Sequence, residues 1–324
     1  ENPLGPSPKA LAAIQAELSE LTRYPDGNGF VLKQRLAQRY SVGVHQVTLG
    51  NGSNDILELV ARAYLAPGLN AVFSEHAFAV YPIATQAVGA EGRAVAAKNW
   101  GHDLDAMADA IDENTRVVFV ANPNNPTGTW FDAAALGTFL ARVPAHVLVV
   151  LDEAYIEYAE GDELPDGLDY LARYPNLLVS RTFSKAYGLA SLRVGYALSS
   201  PQVADALNRV RAPFNVNSLA LAAACAALDD VDYLAASRRV NDAGMAQLER
   251  GFRQLGLEWI PSRGNFIAVD FARDAAPINQ ALLREGVIVR PVAGYGMPTF
   301  LRVSIGTERE NARFLDVLAQ VLQQ

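Results

Sequence analysis

Short apolar runs alternate along the first two-thirds of the chain with longer segments whose apolar residues recur at helical spacing. Ala71–Phe73, Arg116–Val120, Val147–Leu151, Leu177–Ser180 and Val194–Leu198 read as strands. Between them, Asp55–Leu65, Asp103–Ile111, Asp132–Ala141 and Pro201–Val210 read as helices. This alternation predicts βαβ units and a mostly parallel sheet with helices on both faces, an α/β fold. Val147–Leu151 is apolar at every position, as a strand covered on both sides requires. After Phe214 the pattern changes. Ser218–Leu228 is rich in alanine, and helical spacing continues to about Leu255. Trp259-Ile260, Asn265–Asp270, Val287–Arg290 and Leu301–Ile305 then read as strands around a helix over Pro277–Glu285, and a last helix runs from Glu308 towards Gln324. These segments predict a smaller α+β unit, reached along the long helix. The expected division gives residues 23–246 to a large domain, and residues 1–22 with 247–324 to a small one.

The chain opens with three prolines in eight residues, so an extended entry is expected, with Ser7 as N-cap and Pro8 at the first helical position. This opening has neither an initiator methionine nor the basic and apolar regions of a signal peptide, and native residues are expected upstream of it.

Half of the 324 residues are hydrophobic, which excludes disorder as the main state. The net charge of −8 argues against a nucleic-acid partner, because phosphate backbones are held by basic surfaces. No apolar run reaches the ~18–20 residues that span a bilayer, so no membrane association is expected. The single cysteine, Cys225, forbids an intrachain disulfide and suits a reducing, cytoplasmic compartment.

Four segments carry chemistry. In Ser180–Tyr196 a lysine, Lys185, follows a strand among hydroxyls and small residues, and Arg193 lies eight residues on. Burial lowers a lysine's pKa and frees its amine to condense with a carbonyl, and Thr182, Ser184 and Arg193 together suit a phosphate. Leu151–Tyr155 sits at the carboxyl end of the most apolar strand, where open α/β sheets bind ligands. Asp152 there can pair with a cationic ring nitrogen, and Tyr155 can donate to an oxygen of the same ring. The competing reading of Asp152 as a magnesium ligand in an NTPase needs a phosphate loop that the chain lacks. In Ala121–Gly128, prolines at 123 and 126 fix the backbone so that an asparagine can be aimed. Gly50–Asp55 offers free N–H groups at a helix start. It is not a dinucleotide fingerprint, since Asp55 stands where the third glycine belongs.

Together these segments resemble the fold-type-I aminotransferases that use pyridoxal 5′-phosphate (PLP), and among them most resemble the histidinol-phosphate aminotransferase branch. The likeness runs through Asn2–Pro8, Arg23–Pro25, Gly52–Asp55, Asn122–Gly128, Asp152–Tyr155, Ser184-Lys185, Arg193–Tyr196, Asn265-Phe266 and Leu301–Val303, in matching order and spacing. The resemblance implies a large domain with a mostly parallel mixed sheet, a smaller α+β domain, and a homodimer. It implies transamination of L-histidinol phosphate with 2-oxoglutarate. Aromatic-amino-acid transamination, or decarboxylation of a phosphorylated threonine, is the alternative. A non-catalytic regulatory domain of this fold is disfavoured by the lysine in place and by the absence of a basic DNA-binding segment. Lys185 would be joined to PLP and serve as the catalytic base. Asp152 would pair with the ring nitrogen, and Asn125 and Tyr155 with the ring hydroxyl oxygen. Ser53, Asn54, Thr182, Ser184 and Arg193 would hold the cofactor phosphate, with Tyr24 reaching it from the partner subunit. Phe78 would stack on the ring, although His76-Ala77 departs from the Pro-Thr usual before that aromatic. Arg302, Arg290 and Asn2 would bind substrate, Arg290 at its distal anion. No metal is expected.

Overall fold

The computed structural model describes residues 1–159 and 164–323, so the expected end of the last helix at Gln324 lies outside the described residues. The chain enters as the capping pattern predicts. The Ser7 side chain accepts from the Ala10 N–H, and Pro8 fills the first position of α1 (Pro8–Glu17). Among the described residues, seven strands make the larger sheet: β1 (Val47–Gly50), β2 (Asn70–Ser74), β3 (Glu91–Val95), β4 (Thr115–Ala121), β5 (Leu148–Asp152), β6 (Leu177–Thr182) and β7 (Gly195–Ser199). Their order is β1-β7-β6-β5-β4-β2-β3. β7 runs antiparallel to both neighbours and the other pairings are parallel, which gives the mixed, mostly parallel sheet expected.

The apolar strands work on both faces. Val117 and Phe119 of β4 and Val150 of β5 pack with α3 (Ser53–Tyr64), α4 (Val80–Ala87) and α7 (Pro201–Val210). Val118, Val120, Val149 and Leu151 point the other way, against α5 (Leu104–Asp109) and α6 (Ala133–Arg142). This strict alternation follows from the two-residue repeat of a strand. Near β1 and β7 a further cluster joins α1 and α2 (Phe30–Tyr40) to the alanine-rich α8 (Ser218–Leu228).

Two strands and two helices were not expected from the pattern. β1 is only four residues long, and β3 is an edge strand whose Glu91–Val95 is mostly exposed, so neither carries an apolar run. α4 holds Pro82 within its first turn, where the missing N–H costs no helical bond. α2 starts where the Asp26 carboxylate accepts from the Asn28 and Phe30 N–H groups, behind Gly29 in the left-handed conformation.

The smaller unit is a four-stranded antiparallel sheet ordered β10-β11-β9-β8, from β8 (Glu258–Ile260), β9 (Phe266–Asp270), β10 (Arg290–Pro291) and β11 (Phe300–Ser304). One face packs on α9 (Val231–Gln254), α10 (Ala276–Arg284) and α11 (Glu308–Leu322) through Phe252, Ile267, Leu301 and Phe314. The strand expected over Val287–Arg290 shrinks to two residues. Gly286 turns left-handed and the Val287 N–H bonds back to the Leu282 carbonyl, which ends α10 and takes those residues out of the ladder. The expected boundary at 246 falls inside α9, so the chain passes between units along one continuous helix. The first segment also differs from expectation: Ala10 of α1 is fully buried in the cluster of α2 and α8, and only the first residues reach the smaller unit, where the Asn265 amide donates to the Glu1 carbonyl.

Candidate active site

A cleft of about 320 Å³ opens at the carboxyl ends of β4, β5 and β6, roofed by the smaller sheet. Asp152 ends β5 and is buried. Its Oδ2 accepts from the Tyr81 hydroxyl at 2.9 Å, whereas its Oδ1 is buried without a partner among the described residues. Burial pushes the Asp152 pKa up to about 6, against the opposing pull of the Tyr81 hydrogen bond and the Lys185 charge. Tyr81 in turn stacks on Phe119, with centroids 4.9 Å apart and planes 5° apart, so its hydroxyl is held on Asp152 by core packing.

Lys185 follows β6 and lies over the Tyr155 ring, its Nζ 5.6 Å from the centroid. Burial first, and then the charge of Arg302, lower the Lys185 pKa, which favours the free amine. Tyr155 is pushed up to about 12 by burial and so remains a hydrogen-bond donor. Ser53 and Asn54 open α3, where no side chain caps the first N–H groups. Thr182, Ser184 and Arg193 face that helix start across the same cleft, and the Arg193 guanidinium donates to the Ser184 hydroxyl at 3.3 Å. Two glycines make this approach possible. A Cβ on Gly52 would lie 2.2 Å from Arg193 Nη2, and one on Gly195 would lie 2.5 Å from the Ser53 nitrogen. The result is an anion cradle of backbone N–H groups, hydroxyls and one guanidinium.

The opposite wall comes from the smaller unit. Arg302 on β11 faces Arg290 on β10 as a direct antiparallel partner, and both line the cleft. Arg302 donates to Asn125 Oδ1 and lies over the Phe266 ring, while its Nε is buried without a partner among the described residues. Asn125 is presented by a fixed loop, in which Asn122 bonds the Phe131 backbone in both directions and the Asn124 amide donates to the His76 carbonyl. Phe78 lines the cleft edge-on to Tyr81, 5.9 Å between centroids.

Two of the expected residues do not line this chain's cleft, Tyr24 among them, which was expected there from the partner subunit. Tyr24 is 83% exposed and stacks on Phe214, outside this chain's cleft. The Asn2 amide donates to the Ala186 carbonyl and the Ser237 hydroxyl, at 2.9 and 2.7 Å, so it braces the segment after Lys185 and does not line the cleft. Two cleft residues were missed. Tyr81 sits on the buried face of α4, three residues after Phe78. Tyr295 ends a single 3-10 turn, Ala293–Tyr295, after β10, too short to leave a helical pattern in the sequence.

The donor set fits a phosphorylated pyridine: an orphaned buried carboxylate oxygen for a ring N–H, a lysine amine for an aldehyde, and an anion cradle at a helix start. The comparisons with known proteins agree with this chemistry. The family model described as aminotransferase class I and II matches residues 1–318. A Pseudomonas aeruginosa protein named histidinol-phosphate aminotransferase 2 is 83% identical over 322 residues, covering 99% of this chain and 87% of the relative. A Stutzerimonas stutzeri histidinol-phosphate aminotransferase is 64% identical, covering 100% of this chain and 88% of the relative. Among solved structures, the histidinol-phosphate aminotransferase of Sinorhizobium meliloti in complex with pyridoxal-5′-phosphate superposes with a TM-score of 0.94 at 33% identity, over 100% of this chain and 89% of that one.

Proposed function

This chain belongs to the class I and II aminotransferases, and from that premise we infer that it moves the amino group of L-histidinol phosphate to 2-oxoglutarate, giving imidazole acetol phosphate and L-glutamate. PLP is the cofactor; when bound, it supplies an electron sink next to the substrate amine. The names of relatives 83% and 64% identical along the whole chain support this substrate. The observation that carries the reading is the cleft, where a half-buried lysine and an orphaned carboxylate oxygen face a pair of arginines.

The roles follow from charge and burial. Asp152 holds the proton on the cofactor's ring nitrogen, since a bare carboxylate oxygen in a buried site stabilises a cation beside it. Asn125 and Tyr155 would bond the ring hydroxyl oxygen, and Phe78 would pack against the ring. Ser53, Asn54, Thr182, Ser184 and Arg193 hold the phosphate. Lys185, whose pKa burial lowers towards the free amine, removes the proton from the substrate Cα and returns it during transfer. Arg302 forks onto the α-carboxylate of glutamate. Arg290, its cross-strand partner, takes the distal anion: the phosphate ester of one substrate and the side-chain carboxylate of the other. One site thus accepts two substrates of different shape.

The assembly we propose is a homodimer. Leu21, Tyr24, Val31 and Phe214 are exposed apolar residues, and Tyr24 and Phe214 stack on one another. Exposed apolar surface of this kind marks an interface, and two-fold pairing is the commonest solution. Tyr24 from one subunit then completes the phosphate site of the other. A reducing, cytoplasmic setting suits the free Cys225. No helix among the described residues is long and apolar enough to cross a membrane.

The test is product analysis of the holoenzyme with L-histidinol phosphate, with and without 2-oxoglutarate. Transamination requires the oxo acid for turnover and forms one glutamate per ketone. Release of carbon dioxide from threonine phosphate without an oxo acid would replace this reading with the decarboxylase.

A further inference from the structure

A second cavity, of about 600 Å³, lies between the two units on the far side of Trp100 from the active cleft. The chain has three tryptophans, and all three line it: Trp100, Trp130 and Trp259. Phe300 closes its floor, edge-on to Trp100 at 4.9 Å between centroids. Arg263 lies over the Trp130 ring at 4.8 Å, which shows that ring already attracting a cation.

The backbone carries strain to present these rings. Asn99 and Trp100 have φ of 51° and 65°, and the flanking Lys98 and Gly101 exchange both backbone hydrogen bonds. This is a tight hairpin turn of the kind that favours glycine at its second central position. A tryptophan held there is strained, and such outliers cluster at ligand sites.

The charges are arranged to one end. Glu258, Asp270 and Phe300 are successive cross-strand partners on β8, β9 and β11, so all three side chains leave the same face of the sheet into the cavity. Two carboxylates directly opposite repel one another, and neither makes an ion pair among the described residues. Among the described residues, Lys98 is the one lysine or arginine lining the wall itself, with the Arg263 guanidinium held over the Trp130 ring beside it. His102, also on the wall, accepts from the Ala121 N–H through Nε2, so its ring is neutral and adds no opposing charge.

We propose that this cavity binds an aromatic cation, its ring among the three tryptophans and its ammonium at Glu258 and Asp270. Aromatic faces beside paired carboxylates are the combination that selects an organic ammonium, and inter-unit clefts are favoured places for such ligands. The bound ligand touches both units at once. Trp100 also lies against His76, its ring tilted by 35° with centroids 5.1 Å apart, and His76 Nδ1 bonds the carbonyl of Tyr295 at 2.6 Å, on the wall of the active cleft.

The three tryptophans make the site its own reporter. Benzyltrimethylammonium, which cannot condense with the cofactor, is titrated into the holoenzyme while tryptophan fluorescence is followed. A saturable change is expected, with affinity at least tenfold above that of 3-phenylpropionate, an anion with a comparable ring, and of tetramethylammonium, a cation with none. Glu258→Gln/Asp270→Asn is expected to lose at least tenfold in affinity, with an unchanged far-UV circular dichroism spectrum and unchanged kcat. Absence of saturation, equal affinity for the anionic probe, or undiminished affinity in the double variant each overturns the proposal.

Discussion

Removing the Tyr81 hydroxyl isolates the electrostatics of the cleft from its packing. In Tyr81→Phe the ring keeps its stack on Phe119, while Asp152 loses its hydrogen bond of 2.9 Å. A hydrogen bond to a charged group contributes about 1.5–3 kcal/mol, and one to a neutral carboxyl about 1 kcal/mol. The difference raises the Asp152 pKa by roughly one unit, at 1.36 kcal/mol per unit. In the folded apoprotein that pKa already stands at about 6, above the ordinary value of 3.8. A carboxyl raised on folding stabilises the fold fully below its unfolded pKa, and this contribution is lost as pH rises through the folded value. For the wild type the loss runs from about pH 4 to about pH 6 and amounts to about 3 kcal/mol. In Tyr81→Phe it continues to about pH 7. Urea unfolding of the two apoproteins at equal concentration should therefore show a penalty of about 1 kcal/mol at pH 5 that grows to about 2–3 kcal/mol at pH 8. In an Asp152→Asn background the penalty should not depend on pH. A penalty equal at pH 5 and pH 8, or one that keeps its pH dependence without Asp152, would refute the assignment.

Lys185→Ala should abolish turnover, and borohydride reduction of the wild-type holoenzyme should fix the cofactor mass on the peptide containing Lys185; full activity in the variant sinks the mechanism. Gly52→Ala puts a methyl 2.2 Å from Arg193 Nη2 at a residue with φ +80°, so PLP affinity should fall at least tenfold in an apoenzyme reconstitution titration, and unchanged affinity would remove Arg193 from the phosphate site. Arg290→Ala should lose about ten- to a hundredfold in kcat/KM for histidinol phosphate, as the loss of one charge-assisted contact implies, and less for phenylalanine; equal losses would free Arg290 of its role. Light scattering should give twice the chain mass, and Tyr24→Ala should weaken PLP binding at unchanged mass; an active monomer contradicts the shared site.

The parts of this molecule that bury apolar surface on two sides were plain in the sequence. Val147–Leu151 is legible because every position is apolar, and with it the place where Asp152 emerges, since the end of a buried parallel strand is where a ligand site forms. Edge elements were not legible. β3 is mostly exposed, so selection for burial leaves no pattern in Glu91–Val95. Lys185 and Asn125 were identifiable because each follows a strand in a short string, and Arg193 because it lies eight residues after Lys185, just ahead of β7. The pairing of Arg290 with Arg302 was conditional on strand adjacency, which no local pattern encodes; the antiparallel register of β10 and β11 supplies it. Tyr81 acts through a helix that carries a proline in its first turn, and Tyr295 ends a three-residue 3-10 turn, so neither is marked by a periodic pattern.

The central claim rests on which amine this cleft accepts. The direct measurement is kcat/KM of the purified holoenzyme for L-histidinol phosphate, phenylalanine, tyrosine and aspartate, with saturating 2-oxoglutarate and glutamate formation as the readout. The account predicts that histidinol phosphate exceeds the others by at least tenfold, because it alone carries a phosphate for Arg290. A wild-type preference for phenylalanine or tyrosine would contradict it and make the protein an aromatic-amino-acid transaminase.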